Sequence, residues 1–223
     1  MIRIAPSLAS APFASLRQVV MELEAAQVDY LHFDLEDGCF VPAMTLGTKI
    51  IVDLRPETSL SFDVHLMMVN PEWIVPDLVE MGVNRISVHY EACRYPRRVL
   101  RRIASLGVQA GIALNPATPL PDLTYLRPYL SFVVILTTEP EGPDCPFLPE
   151  VLEKVRVGKQ TAGLGGVEWV VDGGVTPDNL ADVVKAGADT VVVGRAIFEG
   201  GEVLRNIRLL RNVLGHEVCS TSS

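Results

Sequence analysis

The sequence predicts one (β/α)8 barrel, a TIM barrel, as a single domain over residues 1–223. Three observations predict it. Short apolar runs alternate with longer amphipathic stretches eight times along the chain. The runs are rich in Val and Ile, as strands buried on both faces are. The length of 223 residues suits a barrel that needs roughly 200 to 250. Strands alternating with helices imply a parallel sheet, because a parallel crossover needs a long connection. An open doubly wound sheet would want a glycine-rich phosphate turn after its first strand, and PSLASAPF contains no G-x-G-x-x-G.

Taken in order, the first run is IRIAPSL from Ile2. The stretch FASLRQVVMELEAA follows it, with Phe13, Leu16, Val20 and Leu23 as an apolar stripe at helical spacing. The second run is YLHFDL from Tyr30 and the third SFDVHLM from Ser61. The fourth, RISVHYEA from Arg85, precedes a basic stretch of Arg94, Arg97, Arg98, Arg101 and Arg102, read as a solvated helix face. QAGIALNP from Gln109, FVVILTT from Phe132, VEWVVDGG from Val167 and TVVVGRAIF from Thr190 complete the eight. Thr176-Pro177 before Asp178-Asn179 reads as an N-cap followed by proline at the first helical position. Gly82, Gly107 and Gly187 stand where helices should end. The last helix carries Val203, Leu204, Ile207, Leu210 and Leu214, and 216–223 reads as a flexible tail.

Composition narrows the function. Apolar residues make up 48%, enough for one sizeable core, and 19 basic against 27 acidic side chains leave a net charge of −8. An acidic chain argues against nucleic acid as a partner, since neutralising phosphates takes clustered cations. Cys39, Cys93, Cys145 and Cys219 lie far apart without a C-x-x-C, so neither a disulfide framework nor a structural zinc site is expected. A reducing cytoplasm fits this usage. MIRIAPSLAS lacks the apolar core of a signal peptide, and no run of about 18 apolar residues suggests a membrane span.

Active sites of such barrels lie at the C-terminal ends of the strands, and polar residues collect there. Strand two ends in His32-Phe33-Asp34-Leu35-Glu36-Asp37-Gly38, strand three in Asp63-Val64-His65-Leu66-Met67, and strand seven in Val171-Asp172-Gly173-Gly174. Residues two apart share a face, so His32 and Asp34 point the same way, as do Asp63 and His65. Two imidazoles and two carboxylates on three strand ends suit one divalent ion: Zn²⁺, Fe²⁺, Mn²⁺ or Co²⁺.

At these residues the sequence resembles the ribulose-phosphate 3-epimerases over essentially its whole length. The resemblance rests on IAPSLASA from Ile4, LHFDLEDGCFVPAMTLG from Leu31, DVHLMMVNP from Asp63 and VHYEA from Val88. It continues in GIALNPATPL from Gly111, FLPEVLEKV from Phe147, VDGGVTPDN from Val171 and AGADTVVVGRAIF from Ala186. It implies a barrel of the ribulose-phosphate-binding type. The implied activity is metal-dependent epimerisation of D-ribulose 5-phosphate to D-xylulose 5-phosphate through an enediolate, within pentose phosphate metabolism. By motif, His32, Asp34, His65 and Asp172 would hold the metal, and Asp34 and Asp172 would also be the acid and base. Ser7, His65, Met67, Gly173, Gly174, Gly194 and Arg195 would meet the substrate. The family also implies a homo-oligomer with a small sugar phosphate as partner.

The chain departs from the family at substrate positions. The usual phosphate loop N-P-G-F-G-G-Q is here Glu139-Pro140-Glu141-Gly142-Pro143-Asp144-Cys145. A carboxylate ~5 Å from a phosphate costs about 3 kcal/mol per unit charge at an effective dielectric near 20. The usual Gly-Ser after strand eight is Gly194-Arg195, where arginine either clamps an anion or pairs with Glu141 or Asp144 and plugs the pocket. Glu36 stands for a wall methionine, Leu136 for another, and Ala43 for an asparagine. Two alternatives therefore stay open: an epimerase of another sugar phosphate or carboxylate, and a non-catalytic sugar-phosphate-binding protein with a decayed loop. A decarboxylase of related fold would want a Lys among its carboxylates, and the ends of strands two and three carry none.

Overall fold

The computed structural model describes residues 2–140 and 145–220. The Val- and Ile-rich runs form β1 (Arg3–Pro6), β2 (Tyr30–Glu36), β3 (Ser61–Met67), β4 (Arg85–His89), β5 (Gln109–Leu114), β6 (Phe132–Leu136), β7 (Glu168–Asp172) and β8 (Thr190–Val193). All pair in parallel in the order β1-β8-β7-β6-β5-β4-β3-β2. A bridge between Ser7 and His32 brings β1 back to β2, so the sheet curls into a nearly closed barrel. Asp29 pins this seam: its N–H donates to the Ile4 carbonyl at 3.2 Å, and its carboxylate accepts the Ile4 N–H at 3.0 Å.

Eight helices among the described residues surround the strands: α1 (Leu16–Ala25), α2 (Thr48–Leu54), α3 (Val75–Glu80), α4 (Pro96–Ser105), α5 (Glu153–Gln160), α6 (Leu180–Ala186), α7 (Arg195–Phe198) and α8 (Val203–Ser220). They are not spaced one per unit. The connection from β5 to β6 holds only a 3-10 turn at Thr124–Leu126. Pro116, Pro119, Pro121 and Pro128 lie in that connection, and each lacks the N–H that a helix interior needs. Unit eight instead carries both α7 and α8. The start of α6 also differs from the expected cap. The helix begins at Leu180, and Asn179 rather than Thr176 organises the turn, accepting the Thr176 N–H at 2.9 Å and donating to the Gly174 carbonyl at 2.9 Å. Gly82, Gly107 and Gly187 do follow helices with positive φ, as their placement predicted. On α4 the arginines Arg97, Arg98, Arg101 and Arg102 are exposed. Helix α8 runs to Ser220, so the end of the expected tail, 221–223, lies outside the described residues.

Two layers of core result. Between sheet and helices pack Leu31, Phe33, Phe62, Trp169 and Leu23 with Ile207 and Leu210 of α8. Leu16, Val20 and Leu23 of the first stripe are buried, whereas Phe13 sits in a preceding 3-10 turn at 47% exposure. Inside the barrel a smaller cluster holds Ala5, Ala113, Phe132, Val134, Val170 and Val192. Below them lies a charged floor. Arg85, 1% exposed, reaches Glu168 at 3.0 Å and Asp63 at 3.3 Å. Its guanidinium lies 4.2 Å from the ring centroids of both Tyr30 and Phe132. Arg3 joins Glu168 at 3.0 Å, and the Thr190 hydroxyl donates to the same carboxylate at 2.6 Å.

Candidate active site and metal centre

Period-two alternation turns Tyr30, His32, Asp34 and Glu36 of β2 toward the barrel axis, and register decides what they meet. Asp63 lies beside His32 and His65 beside Asp34 on β3, while Asp172 closes β7 opposite Leu136 and Val192. The four residues predicted as ligands therefore converge: one atom from each of His32, Asp34, His65 and Asp172 lies within 4.8 Å of the others. His32 Nε2 is 3.1 Å from Asp34 Oδ1 and 3.6 Å from Asp172 Oδ2. His65 Nδ1 is 3.3 and 3.4 Å from the same two oxygens. Both imidazoles have no exposed surface, and the carboxylates, 14% and 12% exposed, form the open side of the cluster.

The electrostatics fit a cation at the centre. Burial pushes both histidines down, yet the surrounding carboxylates outweigh it, holding His32 well above its ordinary pKa and His65 above it. Burial pushes the acids up, yet the imidazoles outweigh it, holding Asp34 well below and Asp172 below the usual carboxylate range. Such a set draws positive charge to its middle. His65 Nδ1 is buried, without a hydrogen-bond partner, and faces that point. Two imidazole nitrogens and two carboxylate oxygens suit a first-row divalent ion. These four residues could hold a metal ion.

Behind the cluster stand residues for which the sequence carried no assigned role. His32 Nδ1 is 2.9 Å from Asp63 Oδ2. Burial raises the Asp63 pKa, but the Arg85 charge together with the hydrogen bond and charge of His32 and the charge of His65 holds the group low, so this carboxylate accepts and His32 Nδ1 donates. On the other side His65 Nε2 meets His89 Nε2 at 2.9 Å, and His89 Nδ1 meets Glu91 at 3.2 Å. VHYEA held the signal: His89 and Glu91 share a face at the same spacing as His32 and Asp34. Only the fold shows that they stack behind His65.

Glu91 also accepts the Asn115 N–H at 2.8 Å and the Thr118 hydroxyl. Burial raises its pKa, but these bonds and the one from His89 bring it from 4.5 down to about 2. A carboxyl depressed in the folded state contributes stability that is fully present above its unfolded pKa and is lost as pH falls through the folded value. The wild-type melting temperature should therefore fall more steeply than that of Glu91→Gln between about pH 4.5 and 2. Parallel curves would remove Glu91 from the account.

A cavity of about 770 Å³ opens above the cluster, lined among others by Ser7, Asp34, Glu36, Met67, Asp172, Gly173, Gly174, Gly194 and Arg195. The predicted contact residues are thus together, with His65 beneath the two acids. Ser7 donates to Asp34 Oδ2 at 2.7 Å. Met67 packs with Val41 and Leu136 as an apolar wall. Gly173 and Gly174 turn with φ of 108° and 66°, where side chains are strained. A Cβ on either would come within 3 Å of Thr138. Thr137 braces the same turn, its hydroxyl donating to the Gly173 carbonyl at 2.6 Å and its N–H to the Asp172 carbonyl at 2.7 Å. Glu36 points into the cavity, with one oxygen accepting the Thr45 N–H at 2.8 Å. Glu139, Pro140 and Cys145 line it as well. Glu141 to Asp144 lie outside the described residues, and with them the pairing weighed for Arg195 with Glu141 or Asp144.

The model of the ribulose-phosphate 3 epimerase family matches residues 3–198. The chain belongs to that family. It is 40% identical to the ribulose-phosphate 3-epimerase of Synechocystis over 215 residues, 95% of this chain and 94% of that one. It is also 40% identical to the chloroplastic ribulose-5-phosphate-3-epimerase of Arabidopsis thaliana over 201 residues, 88% of this chain and 72% of that one. Among solved structures it resembles a 3-hexulose-6-phosphate synthase with a TM-score of 0.68 at 16% identity, covering 95% of this chain and 99% of that one. That likeness shows the barrel alone. Membership in the epimerase family makes the chain an isomerase by class. Among the described residues no helix is long and apolar enough to cross a membrane.

Proposed function

We propose that this epimerase interconverts D-ribulose 5-phosphate and D-xylulose 5-phosphate. Of Asp34 and Asp172, one would take the C3 proton from one face as a carboxylate and the other, as the acid, would return a proton to the opposite face, at a site whose residues would hold one divalent ion of Zn, Fe, Mn or Co. The observation that carries this is the convergence of two carboxylates from β2 and β7 on two buried imidazoles at the floor of one cavity. Inverting a carbon needs a group on each face, one taking a proton while the other gives it. β2 and β7 are separated by β1 and β8 around the barrel, so the acids enter the mouth from different sides.

His32, Asp34, His65 and Asp172 would hold the metal, which when bound supplies a Lewis acid for the charge that develops on oxygen beside the carbonyl. The chain does the rest. Ser7 fixes one oxygen of Asp34 and leaves the other toward the cluster. Met67, Val41 and Leu136 keep the wall apolar, which limits water around a reactive carbanionic carbon. The turns at Gly173-Gly174 and Gly194 let backbone approach the substrate closely, and their amides would take the phosphate. Arg195, at the rim of the same cavity, would add a charged fork in place of the usual small residue. A homo-oligomer, as the family resemblance implies, in a reducing cytoplasm, as the scattered cysteines suggest, completes the reading.

A second reading is favoured by Glu36 and Glu139 lining the cavity: the same proton-transfer machinery acting on another ketose phosphate or on a carboxylate. A coupled assay for D-xylulose 5-phosphate, with each metal added, separates the two. Turnover near ~1 s⁻¹ or faster is expected of an enzyme on its own substrate. Arg195→Ala should raise KM for the sugar phosphate about tenfold or more with a smaller change in kcat. An unchanged KM removes Arg195 from phosphate recognition. Metal-loaded protein inert toward ribulose 5-phosphate would move the assignment to the second reading, or, if inert to all ketose phosphates, to a binding protein.

A further inference from the structure

We infer that His89 and Glu91 are positioning residues that lock His65 in the tautomer able to bind the metal. The inference rests on the metal reading above and concerns groups that touch neither metal nor substrate. Glu91 accepts at three points: the Asn115 N–H at 2.8 Å, the Thr118 hydroxyl, and His89 Nδ1 at 3.2 Å. A carboxylate so placed has only lone pairs to offer, so the proton on the His89 contact belongs to Nδ1. A neutral His89 ring then has a bare Nε2. That atom faces His65 Nε2 at 2.9 Å, and two bare nitrogens would repel, so His65 Nε2 must carry the hydrogen. A neutral His65 is thereby left with a bare Nδ1.

This is the atom that lies 3.3 and 3.4 Å from Asp34 and Asp172 and lacks a hydrogen-bond partner. Without the relay, the opposite tautomer would be the more comfortable one: an Nδ1–H aimed at two carboxylates. The reversed relay would need a hydrogen on Glu91 Oε2, and the backbone amide and hydroxyl that donate to Oε1 favour the ionised carboxylate instead. Packing holds the geometry as well. The His65 and His89 rings stack at 4.9 Å and 20°, and Phe40 covers His89 at 4.6 Å. His32 is set the same way from the opposite side by Asp63. In their neutral forms both ligand histidines would thus present bare nitrogens inward. Outer partners of this kind typically govern metal affinity by 10–100-fold.

The test measures zinc affinity by competition with a chromophoric chelator, using the full chain as wild type, His89→Phe, His89→Gln and Glu91→Gln. His89→Phe keeps the stacked ring and removes the acceptor, and should weaken zinc binding about 10–100-fold. His89→Gln restores an acceptor and should regain most of that loss. Glu91→Gln should weaken binding about tenfold. Melting curves of the zinc-free proteins separate this from unfolding. Long-range ¹⁵N–¹H spectra of the zinc-free wild type, at a pH where His65 is neutral, should show its hydrogen on Nε2. In Glu91→Gln the two tautomers should mix. Zinc bound by His89→Phe and Glu91→Gln as tightly as by wild type overturns the proposal, as does a wild-type His65 carrying its hydrogen on Nδ1. A wild type that binds no zinc, manganese, iron or cobalt ends the metal reading, and the tautomer spectra alone then decide for or against the relay.

Discussion

Asp172→Asn is expected to cut epimerase turnover by about 10³-fold or more while the barrel stays folded. The amide keeps the size of the side chain but can neither take nor return a proton at C3, and loss of a positioned acid or base alone costs about 10²–10⁴ in rate. It also withdraws one negative charge from beside His32 and His65, weakening the pull on a divalent ion. The fold should survive, because the strand end is held by backbone: the Thr137 N–H donates to the Asp172 carbonyl at 2.7 Å, and the Thr137 hydroxyl grips the Gly173 carbonyl at 2.6 Å. The measurement is the coupled assay at saturating metal, with melting curves as the control for folding. Asp34→Asn should be similarly inactive, since it stands for the other face. Activity of Asp172→Asn within tenfold of wild type would place the second base elsewhere.

The second large effect is on stability. Arg85→Met should destabilise the protein by about 3–5 kcal/mol, the usual cost of removing one partner from a buried ion pair. Arg85 is 1% exposed and answers two acids, Asp63 at 3.3 Å and Glu168 at 3.0 Å. Methionine fills much of the space between Tyr30 and Phe132 but leaves Asp63 without its cation at the floor of the barrel. Glu168 keeps Arg3 at 3.0 Å and the Thr190 hydroxyl at 2.6 Å, so most of the loss should fall on Asp63. Burial raises the Asp63 pKa and Arg85 is the largest influence opposing it, so the variant should also weaken the hold of Asp63 on His32. Denaturant unfolding gives the stability change directly. A loss below about 1 kcal/mol would show that the remaining neighbours suffice, as they do around ion pairs reached by water.

Much of this molecule is legible along the chain. Each apolar run became a strand, and SFDVHLM became β3 (Ser61–Met67) residue for residue, its alternate positions Phe62, Val64 and Leu66 buried in the layer between sheet and helices while Asp63 and His65 face the barrel interior. Period-two alternation sufficed to aim His32, Asp34 and His65 inward, and motif order sufficed to mark the family. Local chemistry misled in two places. The prolines of 116–128 do not disturb the hydrophobic pattern on which a helix was expected between β5 and β6, yet they deny it the N–H groups. Thr176 is a good cap by type, but the Gly174 carbonyl needed a donor and Asn179 supplied it.

What the tertiary structure alone decided is which charges meet. His65 comes from β3, His89 from the end of β4 and Glu91 from the turn after it, and Glu91 is completed by Asn115 and Thr118 beyond β5. Arg85 and Glu168 are 83 residues apart yet share the barrel floor. Glu36 is a cavity-lining acid because β2 runs one alternation past Asp34. The hydrophobic pattern determines strand existence and facing locally, since burial is a property of each run. Partnership depends on parallel register between strands joined by long connections, and that distance is not encoded by any neighbour in sequence.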